Sequence, residues 1–568
     1  MQTFQSLLTV KLSDALNAAG LPQAADVTPA TDPRFGDYQT NAALVLGKQR
    51  GENPRKVAET IIGHFDAGEL TTVPSIAGPG FINFTLKREA VEKQVAELLS
   101  DQRLGVHKQT PAKHIVIDFG SPNVAKPMHV GHIRSTFLGD ALARIAEFLG
   151  HDVIRDNHLG DWGTQFGMVI YGWKHLLDRD ALERDPIAEL VRIYKETNER
   201  ANQDEDVRET VRAELVKLQT GDPENFAIWK QCVDLSMQEF DRTYALLDIR
   251  HDIVRGESFY NDRLPGVVER LLASGIAEVS EGAVCVFFRD IPELADKPCI
   301  IRKRDGGFNY ATSDVATVDY RVNDLRRDTL WYVVGAPQTL HFKQIFAIAR
   351  REGFEADFRH ITFGSILGED RKLMKTRSGE NVPLRDVLDD AINRAGKVIA
   401  EKNPELDESE GNEIARFIGI GAIKYADLSQ YRMTDYIFSW DRMLSLHGNT
   451  APYLQNAYVR IRSIFRKLGA SFSPPAETKL DQPAELQLAK KLCQFAEVVP
   501  QVLNDFRPNI LANYLFELAN NFHAFYEACP VLKVEEPTRS SRLALCDLTG
   551  RVLQRGLMLL GIGVPERM

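Results

Sequence analysis

One stretch limits the folds open to this chain more than any other: a strand pattern, a short turn and a long helix pattern between residues 114 and 155. His114-Ile-Val-Ile-Asp118 is a short apolar run of β-type residues. Val130, Ile133, Phe137, Ala141, Ile145 and Phe148 then recur at helical spacing until Gly150 stops the run. Asp152-Val-Ile-Arg155 follows at once as a second strand. Strand, turn, helix and strand in that order make the crossover of a parallel sheet.

The turn holds His129, Gly131 and His132 in an H-x-G-H arrangement. A helix start offers unpaired backbone N–H groups and the positive end of a dipole, where a triphosphate can sit. Gly131 has no Cβ, so a flat adenine or ribose can come close to the backbone. Two flanking imidazoles can donate to phosphate oxygens as negative charge builds. Alone, the four residues are a weak signal that also fits a histidine-rich helix cap.

The neighbouring residues add a resemblance. SPNVAKPMHVGHIRST from Ser121 and HLGDWGTQFG at His158–Gly167 resemble the signature of arginyl-tRNA synthetase, a class I aminoacyl-tRNA synthetase, in its bacterial form. The likeness continues through GFNYATSD (Gly307–Asp314), GAPQTLHF (Gly335–Phe342), MKTRSG (Met374–Gly379), NTAPYLQNAY (Asn449–Tyr458) and the terminal VPERM. It implies an α/β fold: a doubly wound, Rossmann-like parallel-sheet catalytic domain, an α+β N-terminal domain and an all-α C-terminal anticodon-binding bundle. It implies ligation of L-arginine to tRNA(Arg) through arginyl-adenylate, with ATP and Mg²⁺ as a substrate complex and no tightly bound protein metal. It also implies attack by the 2′-hydroxyl of the terminal ribose, and that tRNA must bind before activation.

Three regions are expected. Residues 1–110 form the N-terminal tRNA-elbow domain, with a β-like stretch Phe81-Ile-Asn-Phe-Thr-Leu86. Residues 114–385 form the catalytic domain, interrupted around 178–230 by charge-dense helices lying outside the sheet's core. Its later strands are expected at Thr329–Val334 and within Ile361–Leu367, with a helix at His341–Arg351 between them. Residues 386–568 form the stem and anticodon domain, helical without a convincing strand from about 410 onward.

Composition sets limits. No apolar run is long enough to span a membrane, and the N-terminus lacks a secretory pattern. The cysteines, at 232, 285, 299, 493, 529 and 546, form no C-x-x-C pair, which argues against structural zinc and disulfides and for a reducing cytoplasm. A monomer is expected. A net charge of −10 means that RNA must meet a local basic surface. The helix from Asn449 to Gly469 offers one, since its only charges are Arg460, Arg462, Arg466 and Lys467. A solvated face with cations near the helix C-terminus explains the same residues equally well.

The family positions that match this sequence assign further roles. Asp118, Ser121 and Asn123 would hold the α-amino and carboxylate ends of arginine, and Tyr310, Asp314 and Gln338 its guanidinium and side chain. A carboxylate can pair with the planar guanidinium through two parallel bonds, which lysine cannot match. Capping of a helix is the other reading of Asp314. Gly131, Met374 and Lys375 would join His129 and His132 around ATP. Class I enzymes usually carry a KMSKS loop, and Leu373 and Thr376 stand here where its lysines are expected. Lys126, three residues before His129, could supply the missing charge with Lys375 and Arg377, or could be an ordinary exposed lysine. Phe81, Asn83 and Phe84 could meet an unpaired base, or simply form a strand face. Tyr453, Arg460, Tyr526 and Met568 are the candidates for reading the anticodon. A glutamyl pocket would put a cation where Asp314 stands, and a cysteinyl enzyme would show zinc-ligand cysteines.

Overall fold

In the computed structural model, residues 2–30, 32–375 and 381–568 are described. The chain divides into two compact units. One comprises Lys108–Leu444 with Leu559–Ile562; the other combines the segment ending at His107 with Ser445–Met558 and Gly563–Met568.

The first unit is built on five parallel strands, in the spatial order Asp357–His360, Thr329–Tyr332, His114–Asp118, Asp152–Leu159 and Ile253–Gly256. The central strand runs Ile115-Val-Ile117 without alternation because both faces are covered, as parallel strands require. Helices Tyr310–Asp319 and Thr339–Arg351 supply Val315, Ala316, Ile345 and Ile348 to the core that also holds Leu330 and Phe358. The register sets Asp118 opposite both Asp156 and Tyr332, so three polar side chains meet at the carboxyl end of the sheet. Ligands of doubly wound sheets bind at that end.

Some elements differ from the sequence expectation. The last strand is Asp357–His360, ahead of the expected Ile361–Leu367, of which only Ile366–Leu367 forms strand. Those two residues pair with Tyr436–Ile437, a strand in a region expected to be wholly helical. Two paired residues leave no periodicity to read. A three-stranded antiparallel sheet, Glu278–Ser280, Ala283–Val286 and Cys299–Arg302, was not foreseen. The charge-dense helices, from Arg179 to Leu246, have their own core, in which Ile187, Leu190, Ile193 and Cys232 meet Phe166 and Ile170. Val124 and Ala125 belong to that core, so the motif turn rests on it.

The second unit has a four-stranded antiparallel sheet, including Tyr38–Thr40 and Phe81–Phe84, and the helices Ala451–Leu468 to Thr538–Leu559. The Ala451–Leu468 helix ends as its capping residues predict. Thr450 accepts from the Tyr453 N–H, and Gly469 takes a left-handed conformation at φ 65°. No helix among the described residues is long and apolar enough to cross a membrane.

Candidate active site

The nucleotide end begins where the central strand stops. Gly120 and Ser121 have φ of 87° and 46°, which turns the chain sharply off the sheet. Ser121 donates its hydroxyl to Asp118 Oδ1 at 2.8 Å, and its N–H to Asn157 Oδ1 at 3.1 Å. Asn123 is exposed and bridges to Gly160 of the HLGD stretch. A Cβ on Gly160 would lie 2.1 Å from Asn123 Oδ1, so only glycine leaves that amide its place.

The motif histidines interlock. His129 Nδ1 accepts from the Gly131 N–H at 3.1 Å, and His132 Nδ1 accepts from the His129 N–H at 3.0 Å. The rings are 4.0 Å apart. Burial, with His129 alongside, pulls His132 down to about 3; burial and the Lys126 charge also lower His129. Both rings are therefore neutral near pH 7, with Nδ1 occupied as acceptor and the proton on Nε2. Gly131 is required by His129 itself, since a Cβ would sit 2.8 Å from that ring.

The helix start differs from the expectation in one respect. Its leading N–H groups are taken. Val130 donates to Val382 O, His132 to His129 O and Ile133 to Val130 O. Among residues 129–133 the donors left for an anion are therefore side chains. Val382–Leu384 returns from the KMSKS-like loop and pairs with Met128–Val130, while Lys375 bridges to Asn381. Met374 is half-buried and Lys375 exposed. Arg377 and Thr376 lie outside the described residues. Lys126 is exposed, its ammonium 5.1 Å from the Tyr194 ring centre.

The other end of the site is acidic. Asp314 lies within the Tyr310–Asp319 helix, whose N-cap is Asn309, so the capping reading of Asp314 does not hold. Its Oδ2 is 2.5 Å from His341 Nε2. Burial opposes protonation of His341, but the bond to Asp314 and its charge together outweigh burial and raise the pKa. Tyr310, one helical turn before Asp314, is 62% exposed, and Gln338 is exposed on the Ala336–Gln338 turn. Glu257 faces the same region: burial, then the charges of Asp314 and Asp161, push it up to about 8. Asp161 is held by the Ser258 N–H at 2.9 Å and hydroxyl at 2.6 Å. Asp118, expected to be open to substrate, is 5% exposed and accepts from Arg321 at 2.7 Å.

Sequence reasoning missed Glu257, His341 and Arg321 as members of the site. His341 stands inside GAPQTLHF, so the motif carried the signal. Glu257 and Arg321 belong to no motif and are brought in by the sheet.

The expected RNA contacts divide. Phe84 is fully buried, 5.1 Å from the Phe65 ring, and Asn83 is 2% exposed; the expectation that they meet a base is corrected, because this strand turns them into the core. Phe81 is half-buried. Arg460 lies against the Asn509–Ala528 helix, 3.2 Å from His523 Nδ1 and 5.3 Å from the Tyr526 ring centre. Tyr453 has its ring 5.1 Å from that of His523, tilted by 55°, and donates to Asn520 Oδ1 at 2.7 Å. Arg462 and Arg466 instead bind Glu566 Oε2 and O, both at 2.9 Å. The single basic face expected of this helix is thus two faces, since neighbouring side chains two positions apart point to opposite sides. Met568 is half-buried.

Comparison with known proteins agrees along the chain. A family model described as tRNA synthetases class I (R), catalytic domain, matches residues 94–440. A DALR anticodon binding domain matches 454–568, and an arginyl tRNA synthetase N terminal domain matches 3–86. Arginine–tRNA ligase of Synechococcus sp. is 46% identical, over 95% of either chain. That of Thermobifida fusca is also 46% identical, over 99% of either. The crystal structure of arginyl-tRNA synthetase from Plasmodium falciparum superposes with a TM-score of 0.85 at 28% identity, covering both chains fully. That from Thermus thermophilus gives 0.85 at 25% identity, covering 99% of this chain and 100% of the other.

Proposed function

We propose a division of labour among the residues of this chain, which belongs to the class I arginyl-tRNA synthetases. Its activity is the ATP-dependent attachment of arginine to tRNA.

Arginine lies with its guanidinium towards Asp314, Tyr310 and Gln338, and its α-amino and carboxylate ends towards Asp118, Ser121 and Asn123. ATP enters as its Mg²⁺ complex, near Gly131, Met374 and Lys375. The arginine carboxylate attacks the α-phosphorus in line, and pyrophosphate leaves. Little of the work is covalent: positioning and charge stabilisation dominate phosphoryl and nucleotidyl transfer. His129 and His132 donate through Nε2 to the oxygens on which charge grows. Being neutral, they take no proton from the medium to do so. Lys126, Lys375 and Arg377 supply positive charge that loop lysines give elsewhere in the class. The 2′-hydroxyl of the tRNA terminal ribose then attacks the mixed anhydride and releases AMP. Phe81, and the cluster of Tyr453, Arg460 and Tyr526 with Met568 at the tail, face the RNA. The protein acts as a cytoplasmic monomer on tRNA(Arg).

The observation that supports this reading most is the meeting, at one end of one sheet, of an acidic pocket around Asp314 and a pair of neutral imidazole donors. Pyrophosphate exchange into ATP tests it. Exchange should require arginine and tRNA together. Exchange supported by another amino acid would overturn the reading, and exchange without tRNA would remove the ordered binding.

A further inference from the structure

Beneath the arginine end of the site lies a guanidinium that belongs to the protein. Arg321 is fully buried. It sits in a π-helical turn, Tyr320–Asp324, that directly follows the helix carrying Tyr310 and Asp314. Such turns are rare and concentrate at functional sites. Arg321 donates through Nη2 to Asp118 Oδ2 at 2.7 Å. Through Nε and Nη2 it also donates to Asp156 Oδ2, at 3.0 and 2.8 Å. Its guanidinium carbon lies 5.0 Å from the centre of the Tyr332 ring.

Asp118 and Asp156 are register partners on adjacent strands, and Asp156 is fully buried. The Ser121 hydroxyl takes Asp118 Oδ1, so this carboxylate is fixed at both oxygens. The cluster has two carboxylates and one guanidinium, and it is one positive charge short. Burial chiefly, with the Asp118 charge adding, raises the Asp156 pKa against the pull of Arg321 and His158. Of the three side chains only Asp118 keeps any exposure, 5%, and it lies beside Ser121 at the carboxyl end of its strand.

We propose that Arg321 is a positioning residue for the α-amino group of arginine: it fixes Asp118 so that the ammonium completes the buried cluster. This rests on the reading that Asp118 holds the α-amino end. The guanidinium end is then selected by Asp314 and the ammonium end by a separate, pre-set charge cluster.

The test compares arginine with 5-guanidinopentanoate, the same molecule without the amino group, as substrate and as competitive inhibitor of tRNA charging. Arg321→Met should raise KM for arginine by about tenfold or more, the scale of a lost charge-assisted contact. The inhibition constant of the analogue and KM for ATP should stay within about twofold. Arg321→Lys should restore part of the loss, because an ammonium can still reach one carboxylate. Arg321→Met with Asp156→Asn removes a guanidinium and a carboxylate together and so keeps the buried net charge; it should lose arginine preference in the same way. Equal weakening of arginine and analogue, or an unchanged KM for arginine, would overturn the proposal. Asp118→Asn separates the two levels. If it leaves the arginine-to-analogue ratio unchanged, the Asp118 reading fails and the proposal with it. If it abolishes the ratio while the Arg321 variants keep it, Asp118 holds the ammonium without help from Arg321.

Discussion

Glu257 shows what a motif cannot carry. Its carboxyl is pushed up to about 8, by burial first and then by Asp314 and Asp161, so at neutral pH it is largely protonated in the free protein. A guanidinium arriving beside Asp314 favours the ionised form, so arginine binding should release a proton. From about pH 6 to about pH 8 the carboxyl ionises increasingly before binding, and KM for arginine should fall over that range. Glu257→Gln should flatten the profile; a wild-type KM that is level over the range would show that Glu257 does not face the substrate. His129, His132, Tyr310, Asp314 and Gln338 could be singled out as candidates because each sits in a contiguous motif. Glu257 and Arg321 were not, because their neighbours in space come from distant strands. Asn83 and Phe84 misled for a related reason: they point to opposite faces of the strand, and both faces are covered, which alternation in one strand cannot show.

At the scale of the element, the turn that carries His129 and His132 is fixed from both sides. Ala125 donates to Ser236 Oγ at 3.0 Å, and the return limb of the KMSKS-like loop pairs with Met128–Val130. Lys126 projects from this fixed turn. Lys126→Ala should therefore slow adenylate formation through kcat, leave KM for arginine nearly unchanged and spare transfer from preformed arginyl-adenylate. Single-turnover measurement of the two steps decides, and a normal activation rate would rule the role out. The Ala451–Leu468 helix gives a second test at this scale. Arg460→Gln should reduce the salt slope of tRNA binding by about 0.9 for one lost duplex phosphate contact. Arg462→Gln should leave the slope alone, because Glu566 already holds that side chain; equal slopes for the two variants would contradict the division of faces. Long helices and the central strand could be read from apolar period and caps. The Tyr436–Ile437 strand could not, being two residues long with its partner 70 residues earlier, nor could the Glu278–Arg302 sheet, whose strands are only three or four residues long.

At the scale of the molecule, the ends of the chain meet within one unit. Glu497 accepts from the Gln5 N–H at 2.9 Å and the Tyr38 hydroxyl at 3.0 Å. Burial pushes it up to about 7, against those bonds and the Lys491 charge. A carboxyl whose pKa rises on folding binds its proton more tightly in the native state. That stabilisation is complete below the ordinary carboxyl range and is lost as pH rises through about 7. Tm should fall from about pH 5 to about pH 8, and Glu497→Gln should reduce the fall; an identical profile in the variant would remove Glu497 as its source. All three regions serve one reaction, and the decisive measurement is steady-state charging of tRNA(Arg) by wild-type and Asp314→Asn protein with arginine and lysine. Wild type should charge arginine and not lysine. The variant, which keeps shape but loses the charge facing the guanidinium, should lose roughly 2–5 kcal/mol in kcat/KM for arginine with KM for ATP nearly unchanged. Wild-type charging of lysine in place of arginine, or an unaltered kcat/KM for arginine in Asp314→Asn, would contradict it.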